Sequence, residues 1–555
     1  MDRYLTVNPS VSFWRYAHRR HTAFACEGTR VHFNSAGTPG ATAESTCTIP
    51  RNGDLITRCY LVAELPGIYN GASNTPTAGT SKVTANNDGG TAVFEVSSKA
   101  EIVWLTHGGF GSAVKEDATT TLVTPYGGGT GWQVTNEGEP YWTPSVGYAI
   151  LREAKLQFGG STVDYVYGEL AYCMEELGGR PGKELTELVG KSGLEADRIA
   201  DLKDRSKFHQ TLYVPLPFYF TKHSGVAIQL VAMSFHDVTI KCSWRGVKEL
   251  VVNGCGLGKG TGKASADDSA QVTLTTYVRN DQLVANGTKK GILKYRVGDA
   301  GTVGEKAAPT QLANSHVKLS LELEYVYLAN DERSFIADSR SEKLIMTSQN
   351  STQISTKETD IVRKLNFNHA VTEIIFAVRQ QYHENRNEWL NFNGMTEPVT
   401  GRALDPIHTV SLKLNNHNRF EEKKDAKYFR TIVPYQSHNR RPDGFIYCYS
   451  FARDADSIAP TGSINMSRID SCELILQLDG ALFSNNAAYG GVNNSNADAS
   501  PDVGDIIYDG TTGGYAVPVA HPRVSGGNSV LVFVYARSFN LLKTAGGVSG
   551  LGFTM

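Results

Sequence analysis

The feature that most constrains this chain is a two-residue period of apolar side chains. In SHVKLSLELEYVYL (residues 315–328), Val317, Leu319, Leu321, Leu323, Tyr325 and Tyr327 fall on one face of an extended strand. Lys318, Ser320, Glu322 and Glu324 fall on the other, until Val326 and Leu328 make the end apolar on both sides. A helix would scatter these residues around its circumference, whereas alternate side chains of a strand share a face. SCELILQL repeats the pattern, setting Cys472, Leu474, Leu476 and Leu478 against Ser471, Glu473 and Gln477. GFIYCYSFA groups Phe445, Tyr447, Tyr449 and Phe451, and VLVFVYA (residues 530–536) is apolar on both faces, as a central strand is. Many such runs separated by Gly-, Asn- and Pro-rich turns predict antiparallel sandwiches or barrels.

At 555 residues the chain exceeds one ordinary core, so at least two domains are expected. Helical pattern is local. GELAYCMEEL, KELTELVG and LEADRIADLK predict a helical excursion near 167–206, and acidic residues in the first turn predict a short helix over Asp331 to Asp338. Three polar stretches, near 67–139, 253–315 and 480–528, lack a packing pattern, although FEVSS and EIVWLTH in the first could form strands. Long loops of this kind carry function more often than they merely connect.

Several segments carry a family resemblance, and they occur in the family's order. They are YLTVNPSVSFWRYAHRRHTAFA (4–25), RNGDLITRCYL (51–61), GYAILREAKLQFGGSTVDYVYGE (147–169) and VPLPFYFTKHSGVAIQLVAMSFHDVTI (214–240). LELEYVYLANDERSFI (321–336), LNFNHAVTEIIFAVR (365–379), the run from 416 to 476 and YARSFNLLKTAGGVSGLGF (535–553) complete the series. Together they resemble the major capsid proteins of the nucleocytoplasmic large DNA viruses. The resemblance implies an all-β fold of two tandem eight-stranded antiparallel jelly-roll β-sandwich domains with long loop insertions and a few short helices. It divides the chain into a first jelly roll (1–330), a linker with a short helix (331–344) and a second jelly roll (345–555). It also implies homotrimeric capsomers of pseudo-hexagonal outline that tile an icosahedral shell, with minor capsid and penton proteins as partners. The location it implies is the virion, assembled in the host cytoplasm. At the linker, Phe335 and Ile336 are expected to pack into the seam between the barrels, while Asp331, Glu332 and Arg333 cap or bridge.

Other function classes fare poorly. The formal net charge is -2, from 54 basic and 56 acidic residues, so the surplus that a nucleic-acid coat uses to neutralise phosphate is missing. The cluster Trp14, Tyr16, His18, Arg19, Arg20 and His21 makes only a small basic patch, read first as part of an opening strand. No stretch approaches the roughly 20 apolar residues of a membrane span, and MDRYLTVNPS has no apolar core of a secretory signal. Eight scattered cysteines without a CxxC read as reduced thiols, neither a disulfide framework nor a zinc site. NGCGLGKGTG (253–262) fails as a phosphate loop, because Asn253 replaces the first glycine and Gly260 the hydroxyl residue. HRRH lacks the glutamate of HExxH, no HxH pair occurs, and GGVSGLG puts Leu551 where GxSxG needs glycine. No catalytic residue, metal site or cofactor is therefore expected. Of four N-x-[ST] sequons, Asn350 and Asn465 among them, Asn286 and Asn493 fall in polar stretches and are the glycosylation candidates. The alternatives to a major capsid protein are a lectin-like carbohydrate-binding β-sandwich and a minor capsid protein of the same virus type.

Overall fold

The computed structural model describes residues 21–34, 44–72, 81–87, 90–96, 101–103, 141–179, 185–192, 198–252, 274–278, 294–296, 310–385, 387–394, 405–420, 424–479 and 529–553, with positions 7, 39, 40 and 182. Trp14, Tyr16, His18, Arg19, Arg20, the 253–262 stretch, Asn286, Asn493 and most of the three polar stretches lie outside the described residues.

The first barrel is built from β1 (Phe24–His32), β2 (Ser45–Thr48), β3 (Leu55–Leu65), β4 (Leu151–Phe158), β5 (Ser161–Tyr167), β6 (Gln210–Pro215), β7 (Val238–Trp244) and β8 (Lys318–Leu328). The second uses β9 (Ser341–Thr356), β10 (Asp360–Lys364), β11 (Ala370–Gln380), β12 (Ile407–Leu414), β13 (His417–Asn418), β14 (Ile446–Ser450), β15 (Cys472–Leu478) and β16 (Val530–Ala545). In the first barrel one sheet runs β1-β8-β3-β6 and the facing sheet β5-β4-β7-β2. In the second the orders are β9-β16-β11-β14 and β13-β12-β15-β10. Adding eight to each label turns one barrel into the other. All these pairings are antiparallel, which is the jelly-roll arrangement of two facing sheets.

The alternation read from the sequence is the alternation that packs. Val317, Leu319, Leu321, Leu323 and Tyr325 are buried, while Lys318 is exposed and Glu322 and Glu324 are half-buried. Cys472, Leu474, Leu476 and Leu478 point into the second barrel, each separated by a half-buried residue. Matching turns join β4 to β5 and β12 to β13. Gly159 and Gly160 take φ of 55° and 88°, and Asn415 and Asn416 take 49° and 64°. A two-residue hairpin that follows the strand twist needs positive φ at both positions, which Gly and Asn supply at least cost.

The helical excursion is present as α1 (Gly168–Gly178), with short helices at Thr186–Val189 and Arg198–Ser206, and the linker carries α2 (Asn330–Asp338). β9 starts at Ser341, inside the stretch read as linker. FEV and EIV do lie in strands (Gly90–Val96 and Glu101–Val103). The second polar stretch also contains strands that the sequence reading left as loop. Leu274–Val278 pairs with Ile68–Ala72 and Thr310–Gln311, and Lys294–Arg296 with Glu101–Val103. The pairings with Ile68–Ala72 and Glu101–Val103 join segments some 200 positions apart, so no local pattern announces them. Among the described cysteines none forms a disulfide, and all except Cys26 are buried.

The second barrel encloses an ionic cluster. Glu373 on β11 is 0% exposed and meets Arg537 of β16 at 2.6 Å and His438 at 2.8 Å. Asp456 lies 3.4 Å from the other His438 nitrogen. Burial, the largest influence on His438, favours the neutral ring, but the Glu373 and Asp456 carboxylates outweigh it and the pKa is pushed up to about 12. Burial would also raise Glu373, yet Arg537 and His438 hold it below the ordinary carboxylate value. A folded-state pKa above the ordinary 6.5 means that protonated His438 contributes its full stabilisation below pH 6.5 and loses it as pH rises toward 12. His438→Gln is therefore expected to cost about 3 kcal/mol at pH 6, because it leaves part of a buried carboxylate pair unmet. The penalty should shrink by pH 9. Denaturant midpoints of both proteins at the two pH values check this, and an unchanged penalty would contradict a protonated His438.

Candidate assembly interface

For a shell-forming chain the functional surfaces are those that join barrels, and the seam inside the chain is built around α1. Glu169 stands in its first turn, where a carboxylate suits the positive end of a helix. The helix starts hard against the first barrel. A Cβ on Gly168 would lie 2.2 Å from the Leu151 carbonyl oxygen and 2.3 Å from that of Tyr148, so only glycine fits. From this start Ala171 packs into the first core, while Leu170, Cys173 and Leu177 pack into the second. In return Ile345, Trp389, Leu390 and Leu542 of the second half join the first core.

Glu169 sits between two arginines from different barrels. Arg245, just after β7, is 2.5 Å from Glu169 Oε1, and Arg379 near the end of β11 is 3.6 Å from it. Arg379 also faces Glu384 at 3.8 Å. The Trp389 ring receives the Arg245 guanidinium at 4.4 Å and the Arg379 guanidinium at 5.1 Å from its centre, within cation–π range. Burial alone would raise the Glu169 pKa, but the two guanidiniums outweigh it and hold it below the ordinary value. Backbone groups complete the joint. Trp389 Nε1 donates to the Glu249 carbonyl at 2.7 Å, and Asn387 Nδ2 donates to those of Lys248 and Val251 at 3.0 and 2.8 Å.

The seam also covers the free edge of β9. Asp164 of β5 accepts from the backbone N–H groups of Tyr165, Tyr219 and, across the seam, Ser348 on β9. Lys343 donates to the Ala227 carbonyl at 3.0 Å and Ser341 to Gln229 at 2.9 Å. At the far end the hairpin of β16 and Val548–Leu551 reaches back, with Phe235 N–H donating to the Gly547 carbonyl at 3.0 Å.

The sequence-predicted seam residues hold a different position. Arg333 forms a 3.0 Å ion pair with Asp54, which also accepts from the Leu328 N–H, so α2 is tied to the first barrel and does not bridge the two. Phe335 is 73% exposed and Ile336 half-buried, and no residue of α2 is buried. The expectation that Phe335 and Ile336 pack into the seam is corrected: the helix lies on the surface, because α1 already fills the space between the cores. Asp331 is exposed and Glu332 half-buried in the first turn, where acidic side chains favour the helix start without joining the barrels. Glu169, Arg245, Arg379 and Trp389 were missed. The available signal was a pair of charges inside an apolar strand, Glu373 and Arg379 in AVTEIIFAVRQ. Among the described residues no group of His, Cys, Asp and Glu is arranged to hold a metal ion.

Glu169→Gln would leave Arg245 and Arg379 facing each other with a neutral amide, and is expected to cost about 3–5 kcal/mol. Arg152→Ala, which breaks the exposed pair with Glu249, should cost under about 1 kcal/mol. Parallel urea titrations check the contrast, and equal losses would remove Glu169 as the keystone of the seam.

Comparisons with known proteins agree with this architecture. A family described as large eukaryotic DNA virus major capsid protein matches residues 332–508, and one described as major capsid protein N-terminus matches residues 12–92 and 118–280. Probable capsid protein 4 of Acanthamoeba polyphaga mimivirus is 24% identical, over 86% of this chain and 90% of its own. The major capsid protein of Phaeocystis pouchetii virus is 24% identical, over 100% and 97%. Among solved structures, the quasi-atomic PBCV-1 virus capsid superposes with a TM-score of 0.58 at 18% identity, covering 98% of this chain and 100% of that one. The Faustovirus major capsid protein does so at 0.55 and 10%, covering 96% and 93%, similarities that speak to the fold. With one family matched in each barrel, in chain order, and relatives aligned along its whole length, the chain belongs to the major capsid protein family of the large eukaryotic DNA viruses.

Proposed function

We propose that three copies of this chain form a homotrimeric capsomer of pseudo-hexagonal outline, and that such capsomers tile the icosahedral shell of a large DNA virus. The observation that carries this reading is the pair of barrels with one strand order, joined side by side by a buried seam. Two like barrels per chain give a three-fold ring six similar blocks, and a near-hexagonal block tiles a flat lattice. Closed cyclic symmetry further requires two different complementary faces on each chain. The two blocks meet at the linker helix Asn330–Asp338, the second beginning with β9 at Ser341.

As a member of its family the chain is a structural component of the virion and self-assembles. In this reading it is no enzyme, uses no cofactor, is assembled in the host cytoplasm, and meets minor capsid and penton proteins at the edges of its lattice. Its near-neutral charge suits contact with protein neighbours better than sequence-specific contact with the genome.

Native mass spectrometry and negative-stain imaging of the purified full chain test the proposal. Trimers with a six-lobed outline are expected. A stable monomer that is retained on immobilised glycans would overturn the capsomer reading in favour of a lectin-like module.

A further inference from the structure

The seam holds a second buried carboxylate, Asp164, in surroundings unlike those of Glu169. It sits at a bulge in β5, where the register with β4 passes from Thr162 opposite Gln157 to Asp164 opposite Leu156. Val163 and Asp164 are therefore consecutive residues that are both buried, whereas a regular strand would point them to opposite faces. A bulge re-aims a side chain in this way. Val163 enters the first core, and Asp164, 2% exposed, meets the second barrel.

Three N–H groups from three segments converge on the carboxylate. Oδ1 accepts from Tyr165 of its own strand at 2.9 Å and from Ser348 of β9 at 3.4 Å, while Oδ2 accepts from Tyr219 at 2.8 Å. Tyr219 opens the 3-10 turn Tyr219–Thr221, which packs on β3 and β9. All of these donors are neutral, and among the described residues no cationic side chain pairs with Asp164.

The charged and titratable neighbours are engaged elsewhere. Arg537, opposite Ser348 on β16, pairs with Glu373 at 2.6 Å. Lys222, just past the 3-10 turn, lies in the field of Arg537, Asp456 and Glu373. Lys343, toward the start of β9, donates to the Ala227 carbonyl, and His236 contacts Ser549 of the strand Val548–Leu551 that lies beside β5. The Tyr219 hydroxyl is buried, and burial keeps it un-ionised.

Glu169 and Asp164 thus meet burial in opposite ways. Two guanidiniums keep Glu169 charged, whereas Asp164 has only backbone dipoles. Burial pushes Asp164 up to about 7, and its N–H partners recover only part of what is lost with water. Oδ2 takes one N–H and keeps a lone pair for a proton.

We infer that Asp164 is a proton-operated latch between the barrels: with a proton bound the carboxyl group stays buried against Ser348 and Tyr219, and when ionised it draws this side of the seam open to water. Because the folded-state value lies above the ordinary 3.8, the stabilisation from the bound proton is complete below pH 3.8 and is lost as pH rises through 7. The latch is tight in mild acid and loose in mild base, while the Glu169 side of the seam keeps its charges. It belongs to the single chain and does not depend on the capsomer reading. Repeated in every copy of a shell subunit, it makes the stiffness between barrels a function of pH.

Hydrogen exchange of the full chain tests the latch without any substitution. On peptides containing Tyr219 and Ser348, corrected for the chemical exchange rate, protection should fall at least about tenfold from pH 5.5 to pH 8 relative to β15, which lies away from the seam. Asp164→Asn preserves the size of the side chain and removes the titration. Its amide sets an N–H against that of Tyr219, which shifts overall stability, so the slope with pH is the readout. His438 gives the whole chain a slope of the same sign above pH 6.5, and the difference between parent and variant removes it. From pH 5 to pH 8 the folding constant of the parent, relative to the variant, should fall at least about tenfold. A protonated-carboxyl band in the parent-minus-variant infrared spectrum should be present at pH 5.5 and gone by pH 8.5. Flat protection in the parent, equal slopes for parent and variant, or no such band would overturn the latch and leave Asp164 a carboxylate held ionised by its N–H partners. If the variant does not fold, the exchange profile of the parent decides alone.

Discussion

The arrangement of the two barrels depends on one buried carboxylate. Glu169 pairs with Arg245 of its own barrel at 2.5 Å, and Arg379 of the second barrel adds a contact across the seam at 3.6 Å. Removing an unpaired carboxylate from water costs several kcal/mol, and the same low-dielectric interior strengthens the attraction once the guanidiniums are in place. The charges therefore favour the arrangement of the barrels that brings the buried Arg379 to the Glu169–Arg245 pair. Apolar packing of Leu170, Cys173 and Leu177 supplies burial but would tolerate sliding; the charges supply the register.

The same strand transmits this constraint into the second core. β11 is buried along nearly its whole length and carries Glu373 toward one end and Arg379 toward the other. Glu373 gathers Arg537 and His438 within the second barrel, whereas Arg379 reaches to Glu169 of the first. One central strand thus holds the internal order of its own barrel and the position of the neighbouring one. Both clusters place ions where apolar residues would otherwise sit, which favours a fixed geometry more than raw stability.

A shell subunit benefits from that exchange. Lattice contacts multiply over many copies, so a small error in the angle between barrels would accumulate across a facet. A near-neutral chain limits long-range repulsion between copies, which lets short-range complementarity decide which faces meet. Among the described residues, Ser348 of β9 is held inside the chain by Asp164, whereas Phe24 to Gly28 of β1 are exposed.

The sequence by itself determined the principal strands, the helical excursion and the linker helix, and the two-barrel architecture was legible through its family resemblance. Alternation in SHVKLSLELEYVYL and SCELILQL is a local property, because adjacent side chains of a strand face opposite ways whatever lies beyond. The Gly159–Gly160 and Asn415–Asn416 turns are local for the same reason. It did not determine the seam. Arg245 stands 76 positions from Glu169, and Arg379 and Trp389 come from the other half of the chain, so their meeting leaves no period and no motif. Helix α2 looked like the joint because it lies between the barrels in sequence, yet Phe335 points to solvent while α1, from the middle of the first barrel, occupies the gap. Only the tertiary structure decided that, since which surface fills an inter-barrel space is settled by the shapes and charges that converge on it and not by their order along the chain.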